Sequence, residues 1–387
     1  MNETPHDMHG ESGRVLDTVV IGGGQAGLAI AYHLAQQHRD LVILDARERV
    51  GDAWRLRWDS LRLFTPAKYD GLPGMPFPGD RLGFPTKDEQ ADYLETYAER
   101  FGLPVRAGVH VDRVRRAGDH FVVEAGARRW EAENVVLATG GHQAPRVPGF
   151  AGRLATSVLQ VHSSDYRNPA QLRPGPVLVV GMGNSGAEIA LDVSGTHATT
   201  IAGTPGGELP VRHGRAAARF VLPLVRFAGL HVLTLGTPIG RRVLPKLAGR
   251  AAPLIRTKVA DLDAAGVVRV GRVVDVRDGF PVTAEGTPLE VANVIWCTGY
   301  RDDLAWVDLP VFDEGGTLVQ HRGLVDPVPG LYVIGQDFMY AVTSATLPGL
   351  SRDATYLARR MRGRRTAPST TGAATAATAA TAANVRR

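Results

Sequence analysis

A chain of 387 residues, 44% hydrophobic and 21% charged, is long enough for more than one core and has an ordinary globular balance. Its net charge of +5 is not concentrated: Lys68, Lys87, Lys246 and Lys258 are the only lysines and the arginines run the length of the chain. Without aromatic-basic interleaving that charge does not point to nucleic acid. The single cysteine, Cys297, excludes an intrachain disulfide, a dithiol redox pair and a thiolate-rich metal site.

The opening MNETPHDMHGESGR lacks the basic-then-apolar order of a signal peptide and reads as a disordered leader. Residues 15–22 form a short β-branched strand, 25–37 fit a helix and 41–45 a second strand, the βαβ unit of a parallel pair. Residues 54–88 are rich in Pro, Gly and aromatics; a connection that long in a compact domain tends to carry function. DEQADYLETYAERF, residues 88–101, reads as an amphipathic helix, and 105–133 as short strands and hairpins. VVLATG, residues 135–140, is a buried strand ending in glycine, and a boundary dense in Pro, Ser and Asn falls near 145–172.

A second βαβ unit begins at 177 with VLVVGMGNSGAEIALDV. Residues 216–253 are apolar with interleaved arginines. That pattern suits either a membrane-surface or hydrophobic-substrate segment or a pair of helices packed on the core, and its Pro and Gly interruptions favour the packed helices. The longest uncharged apolar stretch, 227–240, is shorter than the roughly 18 residues that span a bilayer. Residues 294–300, VIWCTGY, repeat the strand-then-glycine pattern, 330–335 give another strand, and a last helix takes up much of 347–360. After Arg365 the chain is Ala/Thr low complexity with no apolar face, and it reads as disordered.

In IGGGQAG, Gly22 permits the tight turn out of the strand, Gly24 lets backbone approach a pyrophosphate, and Gly27 lets helix and strand pack closely. The phosphates then meet the unpaired N–H groups and positive dipole end of a helix that opens with Gln25 and Ala26. Asp45 closes the second strand, where a carboxylate accepts hydrogen bonds from ribose hydroxyls. Gly181, Gly183 and Gly186 repeat the geometry, with Asn184 and Ser185 opening the helix, but the second strand of that unit runs into Gly203-Thr204 with no carboxylate. An acid there would repel a ribose 2′-phosphate, so its absence leans toward NADPH over NADH. Arg212 and Arg215 are candidate phosphate partners. Two dinucleotide sites in one chain suit a tightly held redox cofactor and a visiting hydride donor, FAD in the first and NAD(P)H in the second.

Across residues 15–363 the sequence resembles the class B flavoprotein monooxygenases, in particular the bacterial CzcO-like flavoprotein oxidoreductases, and is similar to the plant YUCCA type. The stretches that carry the resemblance are VVIGGGQAGLA, GDAWRLRWDSLRLFTPAKYDGLPGMPFP, FPTKDEQADYLETYAERF, VVLATGG, VHSSDY, VLVVGMGNSGAEIALDV, WCTGYR and GLYVIG. It implies FAD at the first turn and NADPH at the second, with the strands ending ATG and CTGY linking the domains. It also implies Trp54 near the flavin, Ala138, Thr139 and Gly140 lining the approach, Val111 as a backbone contact to adenine, and Gly335 bringing its strand up to the flavin. The family signature FxGxxxHxxxY is partly present: His162 and Tyr166 fit, whereas Thr156 and Val158 occupy the Phe and Gly places. An Asn that longer members place near the flavin is replaced by the Leu63-Phe-Thr65-Pro66 form.

The expected fold class is α/β, two Rossmann-like, doubly wound, three-layer dinucleotide-binding domains in a glutathione-reductase-like arrangement. Residues 15–150 plus 291–363 would hold FAD, 170–290 would hold NAD(P)H, and 1–14 and 365–387 would be disordered tails. The expected function is an FAD-dependent, NADPH-using monooxygenase that inserts one oxygen atom from dioxygen into a small hydrophobic substrate through a peroxyflavin. That chemistry resides in the flavin, so no side chain is assigned as catalytic and no metal is expected. An NAD(P)H oxidase or electron-transfer reductase and a non-turnover flavoprotein sensor are the alternatives. The protein is expected to be cytoplasmic, with no nucleic-acid partner and no stable membrane insertion, and a homodimer is the default assembly.

Overall fold

The computed structural model describes residues 14–247 and 252–363. Two parallel sheets dominate. In the first, Val15–Ile21 lies between Leu41–Leu44 and Arg128–Leu137, parallel to both. Val105–Arg106 extends one flank, the antiparallel strands His120–Ala125 and Arg113–Ala117 extend the other, and Leu331–Val333 also pairs with Arg128–Leu137. In the second, the order is Val268–Val270, Thr199–Ala202, Val177–Val180, Asn293–Trp296 and Leu159–His162, all parallel.

The elements follow their residues. Leu41–Leu44 and Val177–Val180 are wholly buried apolar runs, as a strand covered on both faces must be, and Val15–Ile21 is buried from Thr18 onward. Gln25–Ala35 starts after an extended Gly24 and packs Ala26, Leu28, Ile30 and Leu34 inward. Lys87–Arg100 is opened by a capping box, Thr86 accepting from Glu89 N while the Glu89 carboxylate takes Thr86 N. Leu347–Arg362 closes the same face of the first sheet, with Leu350, Ala354, Leu357 and Met361 buried among the side chains of Gln25–Ala35 and Lys87–Arg100.

Three expectations change. The strand Asn293–Trp296 lies in the second sheet, paired to Val177–Val180, rather than with the first body to which residues 291–363 were given. Leu159–His162, which falls inside the expected 145–172 boundary, joins the same sheet. The chain therefore crosses between the sheets at 141–146 and again at 297–301, and the crossings pair as an antiparallel ribbon, Ala144–Pro145 against Tyr300–Arg301.

The second change concerns residues 216–253, where the structure forms Arg215–Phe220, Leu222–Phe227, a wide π turn Ala228–Val232 and Pro238–Leu247. Only part of this arm packs on a core; Phe220, Leu224 and Phe227 are exposed. Third, Arg14, counted in the leader, forms an ion pair with Asp40 at 2.6 Å. The tails expected over 1–13 and 365–387 lie outside the described residues.

Candidate functional site: two glycine cradles

Gly22 leaves the first strand at φ +109°, a conformation that favours glycine, and a Cβ there would stand 2.5 Å from the Ala138 carbonyl oxygen. A Cβ on Gly27 would stand 1.8 Å from the Gly22 oxygen, so helix and turn touch backbone to backbone. Gly24 faces open space. The result is a cradle lined by main-chain atoms at the start of a helix, and it fits a pyrophosphate. Asp45 holds the turn from the side: its Oδ2 accepts from Gly23 N at 2.5 Å and its Oδ1 from Arg47 N at 2.7 Å. Val109 N donates to the Asp45 carbonyl at 2.8 Å, which brings the buried Val111 segment alongside.

The second cradle repeats this almost atom for atom. Gly181 has φ +111°, a Cβ on it would meet the Cys297 carbonyl oxygen at 2.2 Å, and a Cβ on Gly186 would meet Gly181 O at 1.8 Å. Gly183 again faces open space. Asn184 is engaged at both ends of its amide, donating to Pro253 O at 3.0 Å and accepting from Ile255 N at 2.9 Å, so its side chain anchors the 253–255 segment rather than facing the cradle. Ser185 is half-buried in the first helical turn. The loss of hydration around Cys297 pushes its thiol up to about 12 and keeps it inert.

A chain of contacts joins the two cradles. Trp54 Nε1 donates to Gln25 Oε1 at 3.1 Å, and three residues on Arg57 donates to the Tyr300 hydroxyl at 2.7 Å. Tyr300 stands at the crossing that follows Cys297. Gln143 donates to Thr139 Oγ1 at 2.8 Å and Gly140 O at 2.7 Å, closing the other crossing. His162 accepts from Ser164 N at its Nδ1, so its Nε2–H donates to Gly299 O, 3.1 Å away. Burial holds this imidazole below its ordinary range, chiefly through desolvation, so it serves the crossing as a neutral donor. Tyr166 is fully buried and donates to Asp192 Oδ2 at 2.8 Å, a tie to the helix Asn184–Ser194. Gly335, at φ +82°, packs against Ala26; a Cβ would stand 2.7 Å from that methyl.

Two buried carboxyls were not visible in the sequence. Asp70, in the long connection, accepts a short hydrogen bond from the Thr65 hydroxyl, and desolvation pushes it up to about 8. Glu188, one turn into the second helix, is pushed up to about 7 by desolvation, opposed by Arg256 at 3.1 Å. Arg256 also donates to Arg62 O at 2.8 Å, while Lys68 Nζ donates to Ala218 O at 2.8 Å and His213 Nε2 to Phe64 O at 2.9 Å. The long connection of the first body is thus bound down onto the second. Arg215, a candidate phosphate partner, instead pairs with Asp80 in that same connection. Arg212 stays exposed, and Gly203 N donates to Val270 O at 3.1 Å, in the strand beside Thr199–Ala202.

Two dinucleotide-type cradles whose strands lead into one shared crossing are the architecture of a flavoprotein oxidoreductase, and likeness to known proteins makes it one of the class B monooxygenase type. The chain belongs to the pyridine nucleotide-disulphide oxidoreductase family, whose model matches residues 19–214. It is 35% identical over 350 residues to the uncharacterized oxidoreductase CzcO of Bacillus subtilis (strain 168), which covers 90% of this chain and 99% of that protein. It is 29% identical over 381 residues to indole-3-pyruvate monooxygenase YUCCA1 of Oryza sativa subsp. japonica, covering 88% of this chain and 90% of that one. Among solved structures it is similar to a flavin-containing monooxygenase from Stenotrophomonas maltophilia, at 31% identity and TM-score 0.73 over 90% of this chain and 98% of the other. Despite the family's name, a lone cysteine leaves this chain no intrachain dithiol.

Proposed function

We propose that the protein is a monooxygenase that binds FAD in the first cradle and NADPH in the second, and inserts one atom of dioxygen into a small hydrophobic substrate. The observation that carries the reading is the contact chain Gln25–Trp54–Arg57–Tyr300, which ties the two cradles to one crossing. Bound FAD supplies the two-electron transfer and the oxygen chemistry. In this reading Gly22, Gly24 and Gly27 seat its pyrophosphate, Gln25 and Ala26 present helix-start N–H groups, and Asp45 takes the ribose hydroxyls. Trp54, Ala138, Thr139 and Gly140 border the ring, Gly335 lets its strand approach, and Val111 meets the adenine.

Gly181, Gly183, Ser185 and Gly186 seat the second pyrophosphate, with Asn184 contributing through its backbone. Preference for NADPH rests on the missing acid at Gly203-Thr204 together with Arg212, because Arg215 is occupied. His162 orients the Gly299 carbonyl at the crossing, and the bound-down connection 61–84 excludes water. A cytoplasmic site of action and a homodimer belong to the same proposal.

The test is a two-step rapid-mixing experiment. NADPH should bleach the flavin without oxygen. Mixing with ¹⁸O₂ and an aryl keto acid or sulfide should then yield a product carrying one labelled atom. Stoichiometric hydrogen peroxide with every candidate substrate, and no labelled product, would move the assignment to an NAD(P)H oxidase.

A further inference from the structure

The arm that follows the second cradle presents an apolar face to solvent. Its two leading helices, Arg215–Phe220 and Leu222–Phe227, are nearly continuous: Val221 between them is right-handed and its carbonyl accepts from Val225 N at 3.1 Å. Ala217, Ala218 and Leu222 turn inward against Leu82, Phe84 and Leu209. Phe220, Leu224 and Phe227 stand at i, i+4 and i+7, one stripe of a helix, and are 66%, 70% and 59% exposed. Ile239, on the next helix, is 55% exposed. A stripe of large side chains turned outward is the reverse of core packing and marks a surface that meets something.

Charge says what. Residues 209–260 contain no Asp or Glu, but eight arginines and two lysines. Arg219 and Arg226 each precede a Phe of the stripe, the Arg219 guanidinium lying 5.4 Å from the Phe220 ring centre and that of Arg226 4.8 Å from the ring of Tyr69. Arg241, Arg242 and Lys246 are exposed on Pro238–Leu247. Aromatic and aliphatic side chains projecting from a convex helix with guanidinium groups on its flanks is the pattern of an interfacial helix.

We propose that this arm docks reversibly on an anionic lipid bilayer, Phe220, Leu224 and Phe227 entering the headgroup boundary while Arg219, Arg241 and Arg242 engage anionic headgroups. A second copy seated face to face would press two predominantly cationic surfaces together. The chain's own ends fit poorly: residues 366–387 have no acid and no aromatic, and residues 1–13 have three acids but no aromatic. A bilayer supplies countercharge above an apolar interior everywhere and deforms around protruding rings. Among the described residues no helix is long and apolar enough to cross a membrane, so the contact is with the surface.

The experiment is co-sedimentation of the flavin-loaded full chain with phosphatidylcholine vesicles, with and without phosphatidylglycerol. Binding is expected only with phosphatidylglycerol and is expected to fall steeply with salt, as the Debye length shrinks from about 8 Å at 0.15 M to about 3 Å at 1 M. Phe220→Ser/Leu224→Ser/Phe227→Ser and Arg219→Glu/Arg241→Glu/Arg242→Glu should each weaken it by roughly tenfold or more, about 1 kcal/mol per juxtamembrane cation being the usual scale. Unchanged flavin content and melting temperature would show that both variants fold. Absence of lipid binding by the wild type overturns the proposal, as does binding indifferent to both variants. A particle whose mass halves by light scattering in the triple-Ser variant would assign the face to a second copy.

Discussion

The two cradles share their backbone and differ in what surrounds it. Gly22 and Gly181 leave their strands at φ +109° and +111°, and a Cβ added to Gly27 or Gly186 would stand 1.8 Å from the carbonyl oxygen of the turn it closes on. The first turn is clasped by Asp45, its carboxylate bonded to the main chain of Gly23 and Arg47. The second strand of the other unit passes into Gly203-Thr204 with nothing equivalent. Main-chain geometry makes a place for a pyrophosphate; the residue at the end of the neighbouring strand selects which nucleotide stays there.

The sharpest way to separate the cradles is to fill each one. Gly27→Ala and Gly186→Ala both force a methyl into the turn carbonyl, an overpacking that costs roughly 1–3 kcal/mol or more. Gly27→Ala should give colourless or poorly folded protein, whereas Gly186→Ala should stay yellow but no longer bleach at NADPH concentrations that reduce the wild type. Equal loss of flavin in both would break the comparison. Next in size, Asp45→Ala removes charge-assisted hydrogen bonds worth roughly 1.5–3 kcal/mol each and should weaken FAD binding by about 10- to 100-fold. Thr204→Asp, which puts an acid where the second unit lacks one, should lower NADPH affinity by about tenfold while sparing NADH, measured as equilibrium binding.

The buried acids give a pH test. Asp70 is raised to about 8 from 3.8 and Glu188 to about 7 from 4.5. The folded state thus holds protons that the unfolded chain has released, so stability present near pH 4 is lost as pH rises toward 7–8. Asp70→Asn should flatten that fall, raising the melting temperature at pH 8 by about 2–4 °C for each kcal/mol recovered, and leave it unchanged at pH 4. Glu188→Gln should do less, since its pairing with Arg256 opposes the shift. The smallest effect belongs to Arg215→Ala: its pair with Asp80 is exposed and screened by solvent, so the melting temperature should barely change, and the KM for NADPH should not move.

Much of this was legible in the residues. Both βαβ units, the amphipathic helix read over 88–101, and the strands ending Ala138-Thr139-Gly140 and Cys297-Thr298-Gly299 announce themselves through local signals: glycine spacing, helical periodicity and unbroken apolar runs. Asp45 is equally local, since it ends the strand next to the one the turn leaves. The placement of Asn293–Trp296 was not, because a four-residue buried strand reads the same whichever sheet accepts it. Nor was the fate of Arg215, whose partner Asp80 lies 135 residues away, or that of Asn184, whose amide is spent on residues brought close only by the fold.

By itself, then, the sequence determined two dinucleotide-type cradles, their order along the chain and the acid that distinguishes them, because each of these depends on neighbours within one supersecondary unit. Tertiary structure alone decided where the chain crosses between the sheets, how Trp54 and Arg57 connect the cradles, which carboxyls are buried and which face of the arm 215–247 looks outward. Those are matters of which distant groups exclude water from one another, and no local pattern of side chains encodes that.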